Sequence, residues 1–460
     1  MKIEKLIKKH DIKTNTKNIK KGDIFFCALG NINKNEFIPD AIKKKCSLVV
    51  SDKNINYKVK KIICNDINTY LKKMLDLKYH YPLNNKTLIG ITGTDGKTTC
   101  ASIIKDMLEG AYIGTNGFIL NDLERKTQNT TPSLDELYQY FDLINKKNIS
   151  NIVMEVSSEA YLTKRIPNLL FDVGIFLNIS NEHLDKHKNF DNYLKCKKEL
   201  LQNSNMKIIN RDDKHYKQII LNIDNYQTFG KKRSDLQIIK YKLFFDKTII
   251  LFKYCKRKYQ IISPLIGEYN VYNLAAAILC LISLNYKMDD IIKRISYIKQ
   301  IPGRMEKICI MDKLILIDYA HTINATKEVL KFVKRYSKRK IITVVGCAGG
   351  RYQEKRCLIG KIVLKYSYKV FFTMDDPRWE DPNTIIQEMI GSSKKKNYQI
   401  ILNREEAIKK ALDMANDKYL VLILGKGRDN YLIVKDKKIE YSDINVINNY
   451  QNMLNNVKKS

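Results

Sequence analysis

Strand-length apolar runs alternate with helical stretches along most of this chain, and this alternation constrains its fold more than any other feature. The middle of the chain contains NIVMEVSS and FDVGIFLNIS followed by the helical stretch FDNYLKCKKELLQ. The pattern restarts after residue 302 with LILIDYAH, KIITVVG, YKVFFTMDDP and YLVLILG. Such alternation indicates a mostly parallel sheet with helices on both faces. The expected class is α/β, with ligands at the carboxyl ends of the strands.

Two joints divide the chain. Turn-forming residues cluster at 81–85, just before a buried strand, and again at 301–304. A length of 460 residues suits three domains at roughly 150 residues each. We therefore predict modules over residues 1–86, 87–302 and 303–460, with the final stretch QNMLNNVKKS as a polar tail.

The composition excludes a disordered or fibrous chain, since 44% of the residues are hydrophobic and 28% are charged. No apolar run is long enough to span a membrane, so no membrane insertion is expected. The net charge of +33 would suit an RNA-binding or anionic-membrane protein, but the lysines are spread from end to end. This spread favours compositional drift, and no nucleic-acid partner is expected.

The ten cysteines form no C-x-x-C pair, and most lie in apolar runs. This pattern predicts reduced thiols rather than a disulfide framework or a zinc site. The N-terminal stretch MKIEKLIKKHDIKTNTK lacks an apolar core of signal-peptide length. We therefore expect a cytoplasmic protein.

The most specific local motif is TGTDGKTT, which follows a buried strand and precedes a helix. Glycines let backbone N–H groups surround phosphate oxygens, and the helix N-terminus favours the anion. Lys97 can reach the β- and γ-phosphates, and the Thr98 hydroxyl can bind Mg²⁺. Ile91 stands where the usual pattern has its first glycine, so the loop is a shortened variant. The predicted ATP or GTP site comprises Gly93, Thr94, Asp95, Gly96, Lys97, Thr98 and Thr99.

Two other strand ends carry polar residues suited to chemistry. Glu155 ends the run NIVME, and His183 lies in NISNEHLD. Each alone could be a structural or solvated residue, but beside a phosphate loop the two together favour a second Mg²⁺ site. No Ser-His-Asp or Cys-His constellation is present, so no protein nucleophile is expected.

The motifs TGTDGKTT, MEVSS, NISNEHLD and the lysine-rich helix, in this order, resemble those of the Mur ligases. These enzymes use ATP to add amino acids to the UDP-linked muramoyl peptide of bacterial cell walls. The similarity is greatest to the members that add the third residue, and it is closest over residues 87–210 and 265–435. It implies a three-domain architecture with a central P-loop ATPase-like parallel sheet and a Rossmann-like C-terminal domain. It also implies ATP and Mg²⁺ as cofactors, small-molecule substrates and a monomer.

The resemblance assigns candidate residues to each substrate. For the UDP-muramoyl dipeptide it implies Thr16, Asn129, Thr130, Thr131, Ser157 and Arg165. Near ATP it adds Asn270 in GEYNVYN, Arg304 in GRME, and Asp318 and His321 in DYAHT. Glu159 and Thr163 depart from the family pattern, and Thr16 replaces its serine.

Lys197 falls at the position of the family's carbamylated lysine. As a carbamate it would hold Mg²⁺ together with Thr98, Glu155 and His183. From its context in YLKCKKELL alone, we would expect a solvated surface lysine. The catalytic residues implied by the resemblance are Lys97, Lys197 and Arg304.

The incoming amino acid is assigned by three further motifs. They contribute Arg351 in GCAGGRYQEKR, then Asp375, Asp376, Pro377 and Arg378, and finally Gly425 and Asp429 in GKGRD. In the family, the arginine of D-N-P-R pairs with the distal carboxylate of meso-diaminopimelate, so Arg378 favours that substrate. Asp376 and Arg428 depart from the pattern. Addition of L-lysine, a related Mur ligase or folylpolyglutamate synthase-like activity, and a degenerate inactive ligase remain alternatives.

Overall fold

The computed structural model describes residues 3–27, 34–182, 184–351 and 353–457. The chain forms two compact units. The first comprises Met1–Ile179, Asn189–Asp235 and Ala276–Lys287, and the second comprises Ser180–Lys188, Leu236–Ala275 and Met288–Ser460. Because the first unit contains both the N-terminal and central segments, the three predicted modules stay a prediction.

The N-terminal segment is a parallel four-stranded sheet in the order β1-β2-β3-β4. Its strands are β1 (Ile12–Lys13), β2 (Ile24–Phe26), β3 (Leu48–Ser51) and β4 (Lys61–Ile63). Its helices are α1 (Ile3–Ile7), α2 (Ile38–Lys43) and α3 (Ile67–Lys78), with short 3₁₀ helices at Thr16–Asn18 and Lys34–Phe37. Every residue of β2 and β3 is buried, as a parallel sheet covered on both faces requires.

The central segment of the first unit contains eight strands in the order β12-β11-β10-β5-β9-β6-β7-β8. The strands are β5 (Thr87–Thr92), β6 (Ala111–Gly114), β7 (Gly117–Leu120), β8 (Leu123–Arg125), β9 (Asn151–Glu155), β10 (Phe171–Phe176), β11 (Ser204–Asn210) and β12 (Tyr226–Gly230). The first six in this order pair in parallel, and β7 and β8 add an antiparallel edge. Because β5 lies between β9 and β10, residues that follow these three strands meet at one edge.

The helices of this part of the chain connect the strands. They are α4 (Lys97–Leu108), α5 (Leu134–Lys146), α6 (Ser158–Leu162), α7 (Leu184–His187), α8 (Phe190–Gln202) and α9 (Tyr216–Ile220), of which α7 belongs to the second unit. The helix predicted from FDNYLKCKKELLQ is α8, with the same bounds. Hydrogen bonds join the N-terminal segment to α5. The Thr14 hydroxyl and Thr14 N donate to Asp135 (2.6 and 3.4 Å), and the Tyr138 hydroxyl donates to Asp76 (2.6 Å).

The second unit begins with an antiparallel meander of three strands, β13 (Leu236–Leu243), β14 (Thr248–Tyr254) and β15 (Arg257–Ser263). Helices α10 (Glu268–Ser283) and α11 (Met288–Ser296) follow, and the part of α10 from Ala276 onward is assigned to the first unit. A six-stranded sheet then has the order β16-β17-β21-β18-β19-β20, parallel except for β16. Its strands are β16 (Glu306–Ile310), β17 (Lys313–Asp318), β18 (Lys340–Val345), β19 (Lys369–Phe372), β20 (Tyr398–Ile400) and β21 (Tyr419–Leu424).

Helices cover both faces of this second sheet. They are α12 (Ile323–Tyr336), α13 (Glu354–Tyr366), α14 (Pro382–Ile390), α15 (Arg404–Met414) and α16 (Asp443–Val457), with the hairpin β22 (Tyr431–Val434) and β23 (Lys437–Glu440) before α16. The α/β prediction is confirmed. Helix α16 extends through Val457 and so takes in part of the predicted polar tail, whose residues 451–456 are exposed except for the partly buried Leu454. The residues that α16 buries, Val446, Ile447 and Tyr450, precede that stretch. Their spacing of one, three and four residues places them on one helical face.

Within the described ranges, no helix is both long and apolar enough to cross a bilayer. The ten cysteines are unpaired, and Cys27, Cys100, Cys196, Cys280 and Cys347 are buried.

Candidate active site

The phosphate loop joins β5 to α4 at the centre of the first unit's sheet. Gly96 has φ +87° at the N-cap of α4, a conformation that residues with a side chain rarely adopt. At Gly93, an added Cβ would lie 3.1 Å from both the Asp95 carbonyl oxygen and the Leu177 Cβ. These glycines permit a tight turn that directs backbone N–H groups towards the start of α4, as anion binding requires.

Asn178, which follows β10, holds this loop in place. Its Oδ1 accepts from Asp95 N (2.9 Å) and its Nδ2 donates to Asp95 O (3.0 Å), while Thr94 N donates to the Asn178 carbonyl oxygen (3.0 Å). Asn178 was not among the residues predicted for the site. The signal was an amide at the end of a strand adjacent to β5, but the pairing of the strands was needed to interpret it.

Two lysines meet at the same carbonyl group of the loop. Lys97 Nζ donates to Gly93 O (2.8 Å) and Thr94 O (3.1 Å), and Lys197 Nζ from α8 also donates to Gly93 O (2.8 Å). Lys197 is only 2% exposed and lies over the Tyr193 ring. Burial, aided by the positive charge of Lys97, lowers the pKa of Lys197 well below its usual value. The expectation of a surface lysine was wrong, because the amphipathic helix α8 directs this position inward.

Glu155 ends β9 and is completely buried. Its carboxylate accepts hydrogen bonds from the Tyr112 hydroxyl, from Thr115 N (3.0 Å) and from the Thr115 hydroxyl (3.2 Å). Glu155 pairs in register with Ile91 of β5, close to the phosphate loop. The predicted alternative of a solvated carboxylate is therefore wrong, and Glu155 belongs to the same sheet edge as the loop.

The N-T-T-P segment packs against the end of β9. The Thr131 hydroxyl donates to the Glu155 carbonyl oxygen (3.0 Å) and accepts from Ser157 N (2.9 Å), and the Thr130 hydroxyl contacts that of Thr115 (3.2 Å). Thr130, Thr131 and Ser157 thus lie with Glu155 at one edge of the sheet. Asn129 precedes them in the same turn.

Arg165 is anchored to this segment. Its guanidinium donates to the Thr131 carbonyl oxygen (2.8 Å) and to the Thr163 hydroxyl (3.0 Å), and lies 3.9 Å from the Glu159 carboxylate. Burial lowers the pKa of Arg165, and the negative charge of Glu159 opposes that effect. The two departures from the family pattern, Glu159 and Thr163, therefore support Arg165.

Thr16 begins the first 3₁₀ helix and is buried. A hydrogen bond from its hydroxyl lowers the pKa of Asp40, and its carbonyl oxygen accepts from Lys44 Nζ (2.7 Å). A cavity of about 450 Å³ lies beside this helix and is lined by both the N-terminal segment and α5. Its basic lining residues, which would attract an anion, are Lys13, Lys17, Lys20, Arg125 and Lys126.

Only some of the predicted metal ligands lie among the described residues. His183 lies outside the described residues, and the described ones contain no group of three or more His, Cys, Asp or Glu that could hold a metal. Thr98 in the first turn of α4 and Glu155 on the adjoining strand supply hydroxyl and carboxylate oxygens. These are the donors that Mg²⁺ prefers, so the described residues fit this ion.

In the second unit, Asp318 fixes the loop that carries Arg304. Its carboxylate accepts from Met305 N (2.7 Å) and Ala320 N (2.8 Å), and the Arg304 guanidinium lies over the Tyr319 ring at 4.5 Å. His321 Nδ1 contacts the Tyr319 carbonyl oxygen (2.8 Å). Asp318 therefore organises the loop that contains the other candidates.

Asn270 lies in the first turn of α10 and is buried. Its Nδ2 donates to Ile266 O (2.8 Å), and its Oδ1 accepts from Asn273 Nδ2 (3.0 Å). These bonds stabilise the start of the helix, and contact with ATP stays a prediction.

The D-D-P-R and G-K-G motifs contact each other. Lys426 is 1% exposed and its Nζ donates to Asp376 (2.8 Å) and Asp375 (3.4 Å). The Asp376 carboxylate also accepts from Ile433 N (3.1 Å). An added Cβ at Gly425, where φ is +107°, would lie 2.7 Å from Asp375 Oδ2, so only glycine fits this approach.

Arg378 follows Pro377 and has φ +55°. Its backbone is held on both sides, because its N donates to Ile433 O (3.0 Å) and its O accepts from Lys435 N (2.6 Å). Its buried Nε has no hydrogen-bond partner among the described residues. A buried guanidinium nitrogen without an acceptor is costly, so Arg378 is suited to receive an anionic ligand.

The loop before Arg351 packs against the segment that carries Arg378. An added Cβ at Gly349 would lie 2.0 Å from the Pro377 carbonyl oxygen. Gly350 N donates to Glu380 (2.5 Å), and the buried Arg356 pairs with the same carboxylate (2.7 Å). Arg351 is thereby positioned on the loop that flanks Arg378.

Arg428 and Asp429, which differ from the family pattern, also contact other residues of this site. Arg428 forms an ion pair with Glu306, whose carboxylate accepts from Gly303 N (2.7 Å). The Tyr319 hydroxyl donates to Asp429 (3.3 Å), and burial raises the pKa of Asp429 to about 6 despite the opposing charge of Lys426. Both residues therefore have partners within the site.

Comparison with known proteins identifies the family. Residues 91–281 match the model of the Mur ligase middle domain, and residues 303–427 match that of the Mur ligase, glutamate ligase domain. A UDP-N-acetylmuramoyl-L-alanyl-D-glutamate–2,6-diaminopimelate ligase of Clostridium perfringens (strain 13 / Type A) is 36% identical over 459 residues, covering 96% of this chain and 94% of the relative. The chain belongs to the Mur ligase family. It is an ATP-dependent ligase.

Solved Mur ligase structures share its fold. A UDP-N-acetylmuramoyl-L-alanyl-D-glutamate–2,6-diaminopimelate ligase matches with a TM-score of 0.67 at 24% identity, covering 97% of this chain and 95% of the other. The MurF ligase from Thermotoga maritima in complex with ADP matches with a TM-score of 0.67 at 17% identity, over 99% of each chain. The predicted family and its α/β Mur ligase architecture are confirmed.

Proposed function

We propose that this Mur ligase joins meso-diaminopimelate to UDP-N-acetylmuramoyl-L-alanyl-D-glutamate in peptidoglycan precursor synthesis, using ATP and passing through an acyl phosphate. The observation that carries the proposal is the meeting of Lys97 and Lys197 at the Gly93 carbonyl of the phosphate loop. The relative from Clostridium perfringens, which bears the name of this activity, supports the choice of substrates.

In the first step, an oxygen of a D-Glu carboxylate attacks the γ-phosphorus of ATP. The bond from that phosphorus to the β–γ bridging oxygen breaks, giving an acyl phosphate and ADP. Lys97 and Arg304 neutralise charge on the phosphate oxygens as it shifts to the leaving group. Backbone N–H groups from Gly93 to Thr99 hold the triphosphate, with Asn270, Asp318 and His321 around the rest of the nucleotide.

In the second step, the neutral amine of the amino acid attacks the acyl carbon. The carbon–oxygen bond to phosphate breaks, and the amine proton passes to solvent or to the departing phosphate. Thr16 contributes to holding the UDP end, whereas Asn129, Thr130, Thr131, Ser157 and Arg165 hold the muramoyl dipeptide. The location of the last five with Glu155, at the edge that carries the phosphate loop, supports this role.

Lys197 acts as a carbamate. Its lowered pKa favours the neutral amine, which reacts with CO₂ to give the carbamate and a proton. The carbamate retains one N–H that can donate to Gly93 O, and its negative charge lies beside Lys97. Thr98, Glu155, His183 and this carbamate would hold Mg²⁺, which supplies charge neutralisation and orientation of phosphate oxygens.

The amino-acid site favours diaminopimelate over lysine. Lys426 binds the Asp376 carboxylate at 2.8 Å, so a cation already lies beside Asp376 before a substrate binds. Arg378 offers a planar guanidinium that suits a carboxylate and repels an ammonium. Arg351, Asp375, Pro377, Gly425 and Asp429 complete the site.

Each of three modules binds a different ligand. Residues 1–86 bind UDP, residues 87–302 bind ATP and residues 303–460 bind the amino acid. The two family-model matches, at 91–281 and 303–427, fall within the second and third modules. The enzyme acts on small molecules as a monomer in the cytoplasm. Its ten unpaired cysteines suit a reducing compartment.

Phosphate release from ATP in the presence of the UDP-muramoyl dipeptide tests the proposal. We expect release with meso-diaminopimelate and at least tenfold less with L-lysine at equal concentration, because Arg378 discriminates by charge. Mass measurement of the product identifies the amide formed. Absence of release with both amino acids would refute the ligase activity on this substrate, and release with lysine alone would refute the specificity.

A further inference from the structure

The meander β13–β15 has one buried face and one open face. Ile238, Ile250, Phe252 and Ile261 on the inner face are no more than 1% exposed. The strand register arranges the alternate residues of the other face in three rows. These rows, which we call the outer face, are Lys242–Ile249–Ile262, Lys240–Leu251–Gln260 and Gln237–Lys253–Lys258.

The outer face carries four lysines and no acidic residue. Lys240, Lys242, Lys253 and Lys258 are exposed, and none of them forms an ion pair with any residue that the structure describes. Lys253 lies directly opposite Lys258 across β14 and β15. Like charges in facing positions are unfavourable in a sheet, so this face gains from an external anion.

The meander is more basic than the chain's average. Strands β13–β15 and their turns, residues 236–263, contain seven basic residues and one acidic residue, Asp246, a net charge of +6. An even spread of the chain's +33 over 460 residues would give a segment of this length about two net positive charges. The register of the strands gathers four of these basic residues on one exposed face.

Apolar side chains occupy one corner of the same surface. Ile262 is 54% exposed, and Ile249 and Leu251 are partly exposed beside it. Lysines beside an apolar cluster match the interface of an anionic bilayer, where cations bind the headgroups and apolar groups enter the boundary below. None of the nine residues is aromatic, so the face lacks the stacking groups typical of single-stranded nucleic-acid binding.

We propose that the outer face binds the surface of an anionic lipid bilayer, so that the enzyme associates peripherally with a membrane. This function goes beyond the proposed reaction, and none of the nine residues belongs to the candidate active site. Each lysine near such a surface strengthens binding about fivefold. Binding falls as salt rises, because charges are screened over about 8 Å at physiological ionic strength.

Flotation of the full-length protein with vesicles tests the proposal. Vesicles of phosphatidylcholine alone are compared with vesicles containing phosphatidylglycerol, at low and high salt. The test variant is Lys242→Glu with Lys258→Glu, in which residue 258 forms a favourable pair with Lys253 and the sheet is retained. The matched control is Lys394→Glu with Lys396→Glu, the same charge change at two exposed lysines elsewhere in the second unit.

We expect salt-sensitive binding to the anionic vesicles alone, a loss of at least about 25-fold in the test variant, and little loss in the control. Phosphate release in solution should be unchanged in both variants. The proposal would be overturned if the protein did not bind anionic vesicles, or if the test and control variants lost vesicle binding equally. It would also be overturned if mixed-sequence RNA bound the protein more tightly than the vesicles do and displaced it from them. Ile262→Ser should reduce binding several-fold without altering net charge.

Discussion

At the scale of single residues, burial rather than residue type decides what a lysine can do. Lys195 and Lys197 lie two positions apart on α8, yet Lys195 is exposed and Lys197 is 2% exposed beside the phosphate loop. Removal from water favours the neutral amine, and only a neutral amine combines with CO₂. The same helix thus supplies one solvated charge and one reactive group.

We expect Lys197→Ala to lower the rate of phosphate release by roughly 100-fold or more, because an electrostatic group next to the transferred phosphate is lost. Lys195→Ala is the matched control and should retain the rate within about twofold. Intact-mass measurement under CO₂ should reveal an added carbamate in the wild type and none in Lys197→Ala. Full activity in Lys197→Ala would remove this residue from the mechanism.

Which residues could be assigned from the sequence depends on how local their signal is. The phosphate loop was predictable because its glycines, lysine and threonine are contiguous and flanked by a strand and a helix. Burial of Lys197 and the clamp by Asn178 were not, since both depend on which strands and helices lie beside β5. The contact of Lys426 with Asp376 joins residues 50 positions apart, beyond the reach of local patterns.

At the scale of elements, the parallel strands were predictable and the antiparallel additions were not. Continuous apolar runs such as TLIGIT and YLVLIL indicate strands buried on both faces. The meander β13–β15 is half exposed, and a β-bulge between Ile238 and Lys240 shifts its alternation. The last helix was missed because its apolar residues are separated by asparagines, although their spacing is helical.

Helices α15 and α16 are joined by a buried ion pair. Arg404 donates to Asp443 through Nε and Nη2 (both 2.8 Å), and Nη2 also donates to Leu424 O (2.9 Å) just before Gly425. Both side chains are completely buried, and the charge of Asp443 raises the pKa of Arg404 against the effect of burial. The pair therefore fixes two helices and the end of β21.

Arg404→Met should lower the free energy of unfolding by about 3–5 kcal/mol, because Asp443 would remain as a buried charge without its partner. Urea denaturation measures this change. Adding Asp443→Leu should recover much of the loss, since the unpaired charge is removed. Lys409→Ala, which breaks the exposed pair with Glu405, is the control and should cost less than about 1 kcal/mol. Equal losses of unfolding free energy in Arg404→Met and Lys409→Ala would contradict this account.

At the scale of the whole molecule, two compact units each have a hydrophobic core of their own. One large cluster lies within the first unit and includes Phe25, Leu71, Phe118 and Phe141. Two clusters lie on the faces of the six-stranded sheet in the second unit. Separate cores permit separate unfolding. The candidate phosphate loop belongs to the first unit, and the D-D-P-R motif belongs to the second.

Differential scanning calorimetry should therefore resolve two transitions that respond differently to the two ligands. A ligand at 100 times its dissociation constant stabilises the unit that binds it by about 2.7 kcal/mol. A nonhydrolysable ATP analogue should raise the transition of the first unit, and meso-diaminopimelate should raise that of the second. Lys97→Ala should abolish the shift caused by the nucleotide and retain the shift caused by the amino acid. A single transition that both ligands raise equally would show that the units unfold together, and retention of the nucleotide shift in Lys97→Ala would contradict the role of this lysine.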